Sequence, residues 1–350
     1  MKSQIHSSKR SDATQAVSEA TSGISRAKGI LFLSDYARLS QFSKLLKAKY
    51  PDAQIIGTAG TVYHNTVIDD QNILIVIAII DEAELSANVI GNLSTDPLSD
   101  MYKLSESVKV VSAKKNSTVC VEFCTVNEEV LVSSMNVILA PAGIKLAGGT
   151  VFGAPEGKAS LVAYNGEVYE DACIYMVIRN TTGKACVIKE NIYDKADGPA
   201  HVATKVNAVN KELIELDHRP AADVYSKETG VSKSGIVDNV MQAPFGRIID
   251  DEIYISSMNG VTGYGSITNY KRINQNDALY ILKLMDYRRI NEDTCRKIKS
   301  FSSKPSMVIA VNCIYRYLLF QQEGYLGEFL TNMSKLAPFL GYIGGGEQYN

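Results

Sequence analysis

The stretch KLAGGTVFGAPEGKAS, Lys145 to Ser160, holds the glycines and the Gly157-Lys158 pair from which a phosphate loop could be built. Such a loop needs G-x-x-x-x-G-K-[ST], because its amides cradle phosphates and its hydroxyl holds magnesium. Here Phe152 stands where the first glycine is required, and Ala159 stands where the hydroxyl is required. Both defining positions fail, so a nucleotide site is not expected. Gly148 and Gly149 then read first as backbone geometry and second as a pocket wall.

A second constellation lies in MVIAVNCIYRYLLF, a buried strand running into a helix. Asn312, Cys313 and Arg316 converge at that strand-to-helix corner. Free amides and the positive helix end favour anions at such corners, and an arginine there suits a carboxylate, bidentately. Arg316 has a second reading, as the partner of a structural acid such as Glu347. Glu347 itself follows three glycines and fits a ligand contact or a turn cap equally. Arg247, in APFGRI, either faces the same pocket or forms an ordinary strand ion pair. Arg219, beside Asp217, reads as a brace for its turn.

The six cysteines, Cys120, Cys124, Cys173, Cys186, Cys295 and Cys313, form no C-x-x-C pair and read as buried cytoplasmic thiols. Cys120 and Cys124 share one face of a strand. No zinc site follows, since no second Cys or His pair stands at ligand spacing. Cys313 invites a nucleophile reading, but none of His6, His64, His201 and His218 stands in a catalytic pattern with it, so an enzyme is not expected. A haem would need an axial histidine in an apolar pocket. His64 in TVYHN and His201 in GPAHVA are the candidates; both also fit hydrogen-bonded loop histidines.

The elements that must position these residues alternate. GILFL is a buried strand. A helix follows with Leu39, Phe42, Leu45 and Leu46 on one face and Ser34 as its N-cap, stopped by Pro51. AQIIG and NILIVIAII are strands, and DEAELSANVIGNL reads as a helix or the start of one. STVCVEFCTV is a strand, NEEVLVSSMNVIL an amphipathic helix, and IKLAGG a strand. A turn at Asn165-Gly166 precedes a long strand. Later, PFGRIIDDEIYISSM reads as a hairpin around Asp250-Asp251, and INEDTCRKIKSF as a helix capped by Asn291. Ala53–Ile80 and Ile144–Ile178 share one order: strand, glycine turn, polar stretch, long strand. PFLGYIGGGEQYN begins that order a third time, and a partner strand for this last unit is expected to be missing. The fold class is therefore α/β (mixed α+β), with duplicated strand-helix units forming two packed α/β halves.

A chain of 350 residues points to two domains, and 45% apolar content is enough for real cores. The boundaries read as a flexible lead-in over residues 1–27, a first domain over 28–205 and a second over 206–350, with the linker between Asp194 and Lys211. A net charge of −2 gives no electrostatic case for nucleic acid. The run Ile73–Ile80 is far short of the roughly 20 residues that span a bilayer, and the first residues lack the apolar core of a secretory signal. A cytoplasmic location follows as the expectation.

VNAVNKELIELDHRPAADVYSKETG resembles the signature of FIST sensory domains, through Glu215, Leu216, Asp217, Arg219, Pro220, Ala221, Val224 and Tyr225. LAGG at Leu146–Gly149 is similar to that family's glycine turn. VNCIYRYLLF is similar to its Cys-x-x-Arg junction, and Gly346-Glu347 to its closing motif. His218 departs from the pattern, which has glycine or lysine there. The resemblance implies a cytoplasmic input module with no catalytic activity. It would bind a small molecule, such as an amino acid or other carboxylate, between its two halves. Its output partner would be a methyl-accepting chemotaxis domain or a histidine kinase, in the same or another chain. Some members are reported to bind haem and sense nitric oxide, which gives the alternative reading.

Overall fold

The structure is a computed structural model that describes residues 1–69 and 71–350. It divides into a first compact unit, Met1–Lys189 with Cys295–Asn350, and a second, Glu190–Thr294. The boundary expected after residue 205 falls inside the strand His201–Asn207, so the chain is not cut there.

The first unit is built from repeated modules. In module one, Gly29–Ser34 pairs in parallel with Gln54–Ala59 and antiparallel with Leu74–Asp81, whose other edge takes Lys2–Ser8. In module two, Thr118–Cys124 pairs in parallel with Lys145–Thr150 and antiparallel with Cys173–Asn180, whose other edge takes Ala83–Ile90. In module three, Val308–Cys313 pairs in parallel with Phe339–Gly344. A helix bridges each parallel pair: Leu39–Lys49 in the first module, Glu128–Leu139 in the second and Ile314–Gln322, followed by Leu326–Ser334, in the third.

The modules exchange their hairpins in a ring. The hairpin after Gln54–Ala59 adds to Phe339–Gly344 of module three. The hairpin Val162–Tyr164/Glu167–Tyr169 of module two adds to Gln54–Ala59 of module one. Glu347–Tyr349 of module three adds to Lys145–Thr150 of module two. The last segment therefore has partners on the sheets of its sister modules. The crossing chains run close together and glycine makes room for them. A Cβ on Gly60, at φ +153°, would stand 2.6 Å from the carbonyl oxygen of Phe152.

The inner faces of the three sheets share one apolar core, with Leu31, Ile75 and Ile77 from module one, Phe123 and Met176 from module two and Leu340 and Tyr342 from module three. The outer faces are covered separately. Ala13–Ala20 and Leu39–Lys49 pack over module one with Phe32, Phe42 and Leu46 fully buried. Met101–Val110 and Glu128–Leu139 pack over module two with Leu104, Leu131 and Met135. Each such side chain contributes about 1.5–3 kcal/mol by leaving water.

Four local expectations are corrected. Residues 1–27 are not a flexible lead-in: Lys2–Ser8 is a sheet strand, and Ala13–Ala20 is a helix capped by Asp12 that buries Ala16, Val17 and Ala20. DEAELSANVIGNL is not a helix: Ala83–Ile90 pairs along its length with Cys173–Asn180, and the sheet overrides the helical propensity of Ala, Glu and Leu. Ser34 ends a strand, and Asp35 instead caps the short turn Tyr36–Arg38 by accepting from the Arg38 N–H at 3.1 Å. Asn291 lies inside the helix Tyr287–Phe301; Asp286 accepts from the Arg289 N–H at 3.2 Å just ahead of it.

The second unit is one antiparallel sheet in which Ala278–Leu284 pairs with Phe245–Ile249, His201–Asn207 and Tyr193–Lys195. Asp250 and Asp251 turn the hairpin Phe245–Ile249/Glu252–Ser256, both at positive φ, as the sequence requires.

Candidate functional site

The strand Val308–Cys313 alternates. Ile309 and Val311 face the shared inner core, so Ala310 and Asn312 face the helices. Gly341, paired with Ala310, belongs to this helix face, and its missing side chain admits Tyr63 from the exchanged hairpin. A Cβ on Gly341 would stand 2.8 Å from Tyr63 Cζ. The Tyr63 hydroxyl donates to the Ala310 carbonyl at 3.2 Å, and its ring lies 5.1 Å from that of Phe339.

Cys313 is the N-cap of the helix Ile314–Gln322, extended at φ −60° and ψ 138°, and its side chain makes no capping hydrogen bond. The first N–H groups of that helix thus lack a side-chain acceptor at the cap and carry the positive end of the dipole. Arg316 stands in this first turn. Its guanidinium lies 4.9 Å from the Phe320 ring centre and 5.0 Å from that of Phe329. The two rings are 5.4 Å apart, and Phe320 also meets Tyr325 at 5.0 Å. Burial lowers the Arg316 pKa to about 10, against the opposing pull of Glu347, Tyr63 and Tyr325. The side chain keeps its charge at neutral pH, in contact with aromatic faces. A desolvated cation–π contact contributes about 2 kcal/mol.

Asn312 completes this corner. It is only 3% exposed. Asn312 and Arg316 therefore share a face with uncapped helix amides, an aromatic wall and Tyr63. Glu347 is exposed but close enough to raise the pKa of Tyr63, whose hydroxyl is pushed up mainly by burial.

The other expected residues are placed differently. Gly149 and Gly148 are filled from within the protein. A Cβ on Gly149 would stand 2.7 Å from the Tyr342 hydroxyl and from the Gly346 carbonyl, and one on Gly148 would strike the backbone and carboxyl of Glu122. Cys313, two residues from Val311, points to the opposite side of the strand from Asn312. His64 is half-buried, with Nδ1 3.0 Å from Ser7 Oγ, and its pKa is lowered first by burial and then by His6.

Arg247 and His201 belong to the second unit. Arg247 pairs with Asp277 at 3.1 Å. His201 is 3% exposed, with Nδ1 2.7 Å from Asp217 Oδ2, while Asp217 Oδ1 accepts from the Val202 N–H at 2.9 Å. Burial pushes the Asp217 carboxyl upward, but the hydrogen bonds from His201 and Val202 outweigh it and hold the group below the usual carboxylate range. Cys120, Cys124 and Cys173 are buried with their thiols pushed up by desolvation and by Glu122, as inert structural thiols are. Among the described residues no group of three or more His, Cys, Asp or Glu is arranged to hold a metal ion.

Sequence reasoning missed Tyr63, Phe320, Tyr325 and Phe329. Three of them were visible as spacing: Phe320 stands four residues after Arg316, and Phe329 four after Tyr325, which places each pair on one helical face. Tyr63 arrives by hairpin exchange, which no local pattern announces. A separate open cleft of about 360 Å³ is lined by Arg26, Lys28, Lys49, Tyr50, Asp52 and Asp81. Its charges are mixed, and Lys28 is already paired with Asp81 at 3.5 Å.

No helix among the described residues is long and apolar enough to cross a membrane. Among curated proteins, none matches this chain. The family comparison does match it, over nearly its whole length: the FIST N domain over residues 28–219 and the FIST C domain over residues 221–350. The first compact unit draws on both matched regions, because module three lies in the second of them.

Proposed function

Since the chain belongs to the FIST family, whose domains are small-ligand sensory domains of signal transduction, we propose that it senses a small carboxylate, such as an amino acid, at the Asn312–Arg316 corner. The observation that carries this reading is Arg316 itself, a largely buried cation held between Phe320 and Phe329 in the first turn of a helix without a side-chain cap. The guanidinium and the helix amides supply charge-assisted donors for a carboxylate. Asn312 supplies a donor and an acceptor that would fix its orientation. Tyr63 and the phenylalanines supply the apolar wall of a small-molecule site.

The sensing step is a redistribution between two arrangements, driven by a ligand that prefers one of them. The protein acts in the cytoplasm and passes this redistribution to a signalling output module, a chemotaxis domain or a histidine kinase.

A thermal-shift screen of amino acids, organic acids and their amides tests the reading, because a ligand that binds only the folded state raises Tm. Carboxylates raise Tm and their amides do not. Arg316→Lys and Asn312→Ser each lower the affinity of the best carboxylate at least tenfold, a loss of about 1.4 kcal/mol. Unchanged affinity in both variants sinks the site, and a screen in which only amides or cations bind sinks the ligand class.

A further inference from the structure

The helix Glu128–Leu139 of module two presents an outer stripe with no charge on it. Val130 and Val137 are 47% and 75% exposed, and Val126, just ahead of the helix, is 37% exposed. Ser133 and Ala140 continue the row, also exposed. The spacing 130, 133, 137, 140 is a single helical ridge, and Val126 precedes its left-handed N-cap Asn127. The corresponding ridge of module one runs Gln41, Lys44, Ala48 on Leu39–Lys49, equally exposed, with a polar and a charged residue at its first two positions. The correspondence follows from the first helical residues, Leu39 and Glu128, both buried, and from the buried pairs Phe42/Leu131 and Leu46/Met135. The same ridge therefore carries Gln and Lys in module one where module two carries Val130 and an uncharged Ser133.

We propose that this ridge is the interface with a second copy of the chain, packed antiparallel across a two-fold axis centred near Ser133. The charges at the ends of the helix select that occupant. Of the two acids in its first turn, Glu128 is buried and the half-buried Glu129 stands beside the ridge, and its last turn has no basic residue. Beyond its C-terminal end, Lys115 packs beside Gly143, where an added Cβ would lie 3.2 Å from Lys115 Cβ, and Lys114 is exposed next to it. In an antiparallel pair the acidic end of one helix meets the basic end of the other, twice, by symmetry. The uncharged middle buries nothing that needs a partner. Opposed helix dipoles add to the same arrangement. A parallel pair would set like ends together. A lipid surface would meet the acidic first turn and gain no basic residue from the ridge itself.

Light scattering and a cross-link test the proposal on the full chain. The expected mass is twice 38.2 kDa at micromolar concentration, falling to 38.2 kDa in the Val130→Glu/Val137→Glu variant. Circular dichroism of that variant stays unchanged, because both positions are exposed in the single chain, and its Tm matches that of the wild type diluted to its monomeric range. In a Cys186→Ser background, which removes the exposed native thiol, Ser133→Cys cross-links two copies with glutathione disulfide as oxidant. Two thiols lose two protons and two electrons to form one disulfide, and glutathione disulfide is reduced to two glutathione thiols. A wild-type protein that stays monomeric overturns the proposal. So does a dimer that survives the double glutamate variant, and so does a dimer that gives no cross-link at Ser133→Cys.

Discussion

Modules one and two of the first unit have the same order of elements and the same pairings, yet they solve one packing problem with different chemistry. In both, the second strand of the parallel pair carries a glycine opposite the first: Gly57 opposite Phe32 and Gly148 opposite Glu122. In both, the neighbouring side chain lies across the glycine, in the space a Cβ would take. In module one that side chain is an aromatic ring among Ile30, Phe42 and Val76. In module two it is a fully buried carboxyl beside Cys173, whose sulfur lies 3.5 Å from Glu122 Oε2. Close by, Gln348 Nε2 donates to Cys124 Sγ at 2.9 Å. The shared backbone requires the glycine, but it does not dictate what covers it. Close approach of chain to chain is therefore the conserved element of the design, and the polarity of the contact is free to vary between modules.

The sharpest way to break this equivalence is a pair of double-mutant cycles, and it carries the largest expected effect. The atoms that Gly57→Ala strikes first all belong to the Phe32 ring, whereas those that Gly148→Ala strikes first include the Glu122 backbone oxygen as well as its carboxyl. Each glycine variant loses about 3 kcal/mol or more in urea unfolding, as severe overpacking does. Phe32→Leu then rescues Gly57→Ala, with a coupling of about 2 kcal/mol, because the closest contacts are to a side chain. Glu122→Ala leaves most of the Gly148→Ala loss in place, because a backbone oxygen cannot be truncated. Equal rescue in both modules would falsify the distinction between side-chain cover and backbone cover.

Much of this scaffold was legible in the sequence, and the reasons are local. GILFL, STVCVEFCTV and NILIVIAII are short apolar runs bounded by polar residues, and each is a strand. The turns at Asn165-Gly166 and Asp250-Asp251 stand where the sequence places them. The repeat was legible because glycine recurs at the same point in each unit. What stayed hidden is the ring of exchanged hairpins. A strand's pattern shows that it needs a partner and does not show which, and Tyr63 finds Gly341 across nearly the whole chain. The candidate site was half legible for the same reason. Asn312 and Arg316 are neighbours in sequence, whereas the aromatic wall around them is completed by Tyr63, a residue from module one.

A smaller effect separates two tight turns that share one backbone. Asn165-Gly166 closes the exchanged hairpin of module two, and Asp217-His218 closes a hairpin of the second unit; all four residues have positive φ. In the second turn the first residue does additional work, since Asp217 accepts from His201 and from the Val202 N–H. Asp217→Asn keeps a residue that tolerates the left-handed region and removes the charge. The loss is about 1 kcal/mol at neutral pH, the size of a net hydrogen bond. The sign with pH follows from the lowered carboxyl pKa. Between the folded and the unfolded value, near 3.9, the unfolded chain binds more protons. The stability from this group is present above the unfolded value and is lost as pH falls through the folded one. The wild-type and Asp217→Asn unfolding curves therefore converge on acidification; curves that stay parallel down to the onset of acid unfolding remove the carboxylate from the account.

The second residue of each turn gives the smallest and most selective test. Gly166, at φ +100°, has a conformation open to glycine alone, and His218, at φ +61°, has one that costs a side chain about 1 kcal/mol or more. His218→Gly relieves that strain, and it keeps the backbone N–H that donates to Thr204 Oγ1 at 2.9 Å. Against this relief stands the extra freedom that glycine gives the unfolded chain, which costs about 0.4–1 kcal/mol. The net expectation is a gain of about 0.5 kcal/mol. Gly166→Ala runs the opposite way in the sister turn: it adds strain, and a Cβ there would lie 3.5 Å from Lys47 Cβ, an ordinary contact that offers no compensation. Its loss of about 1 kcal/mol is thus a backbone effect alone. Opposite signs at equivalent turn positions are what left-handed geometry demands, whatever the surroundings. Equal signs would mean that the side chains around each turn, and not its φ values, decide which residue it tolerates.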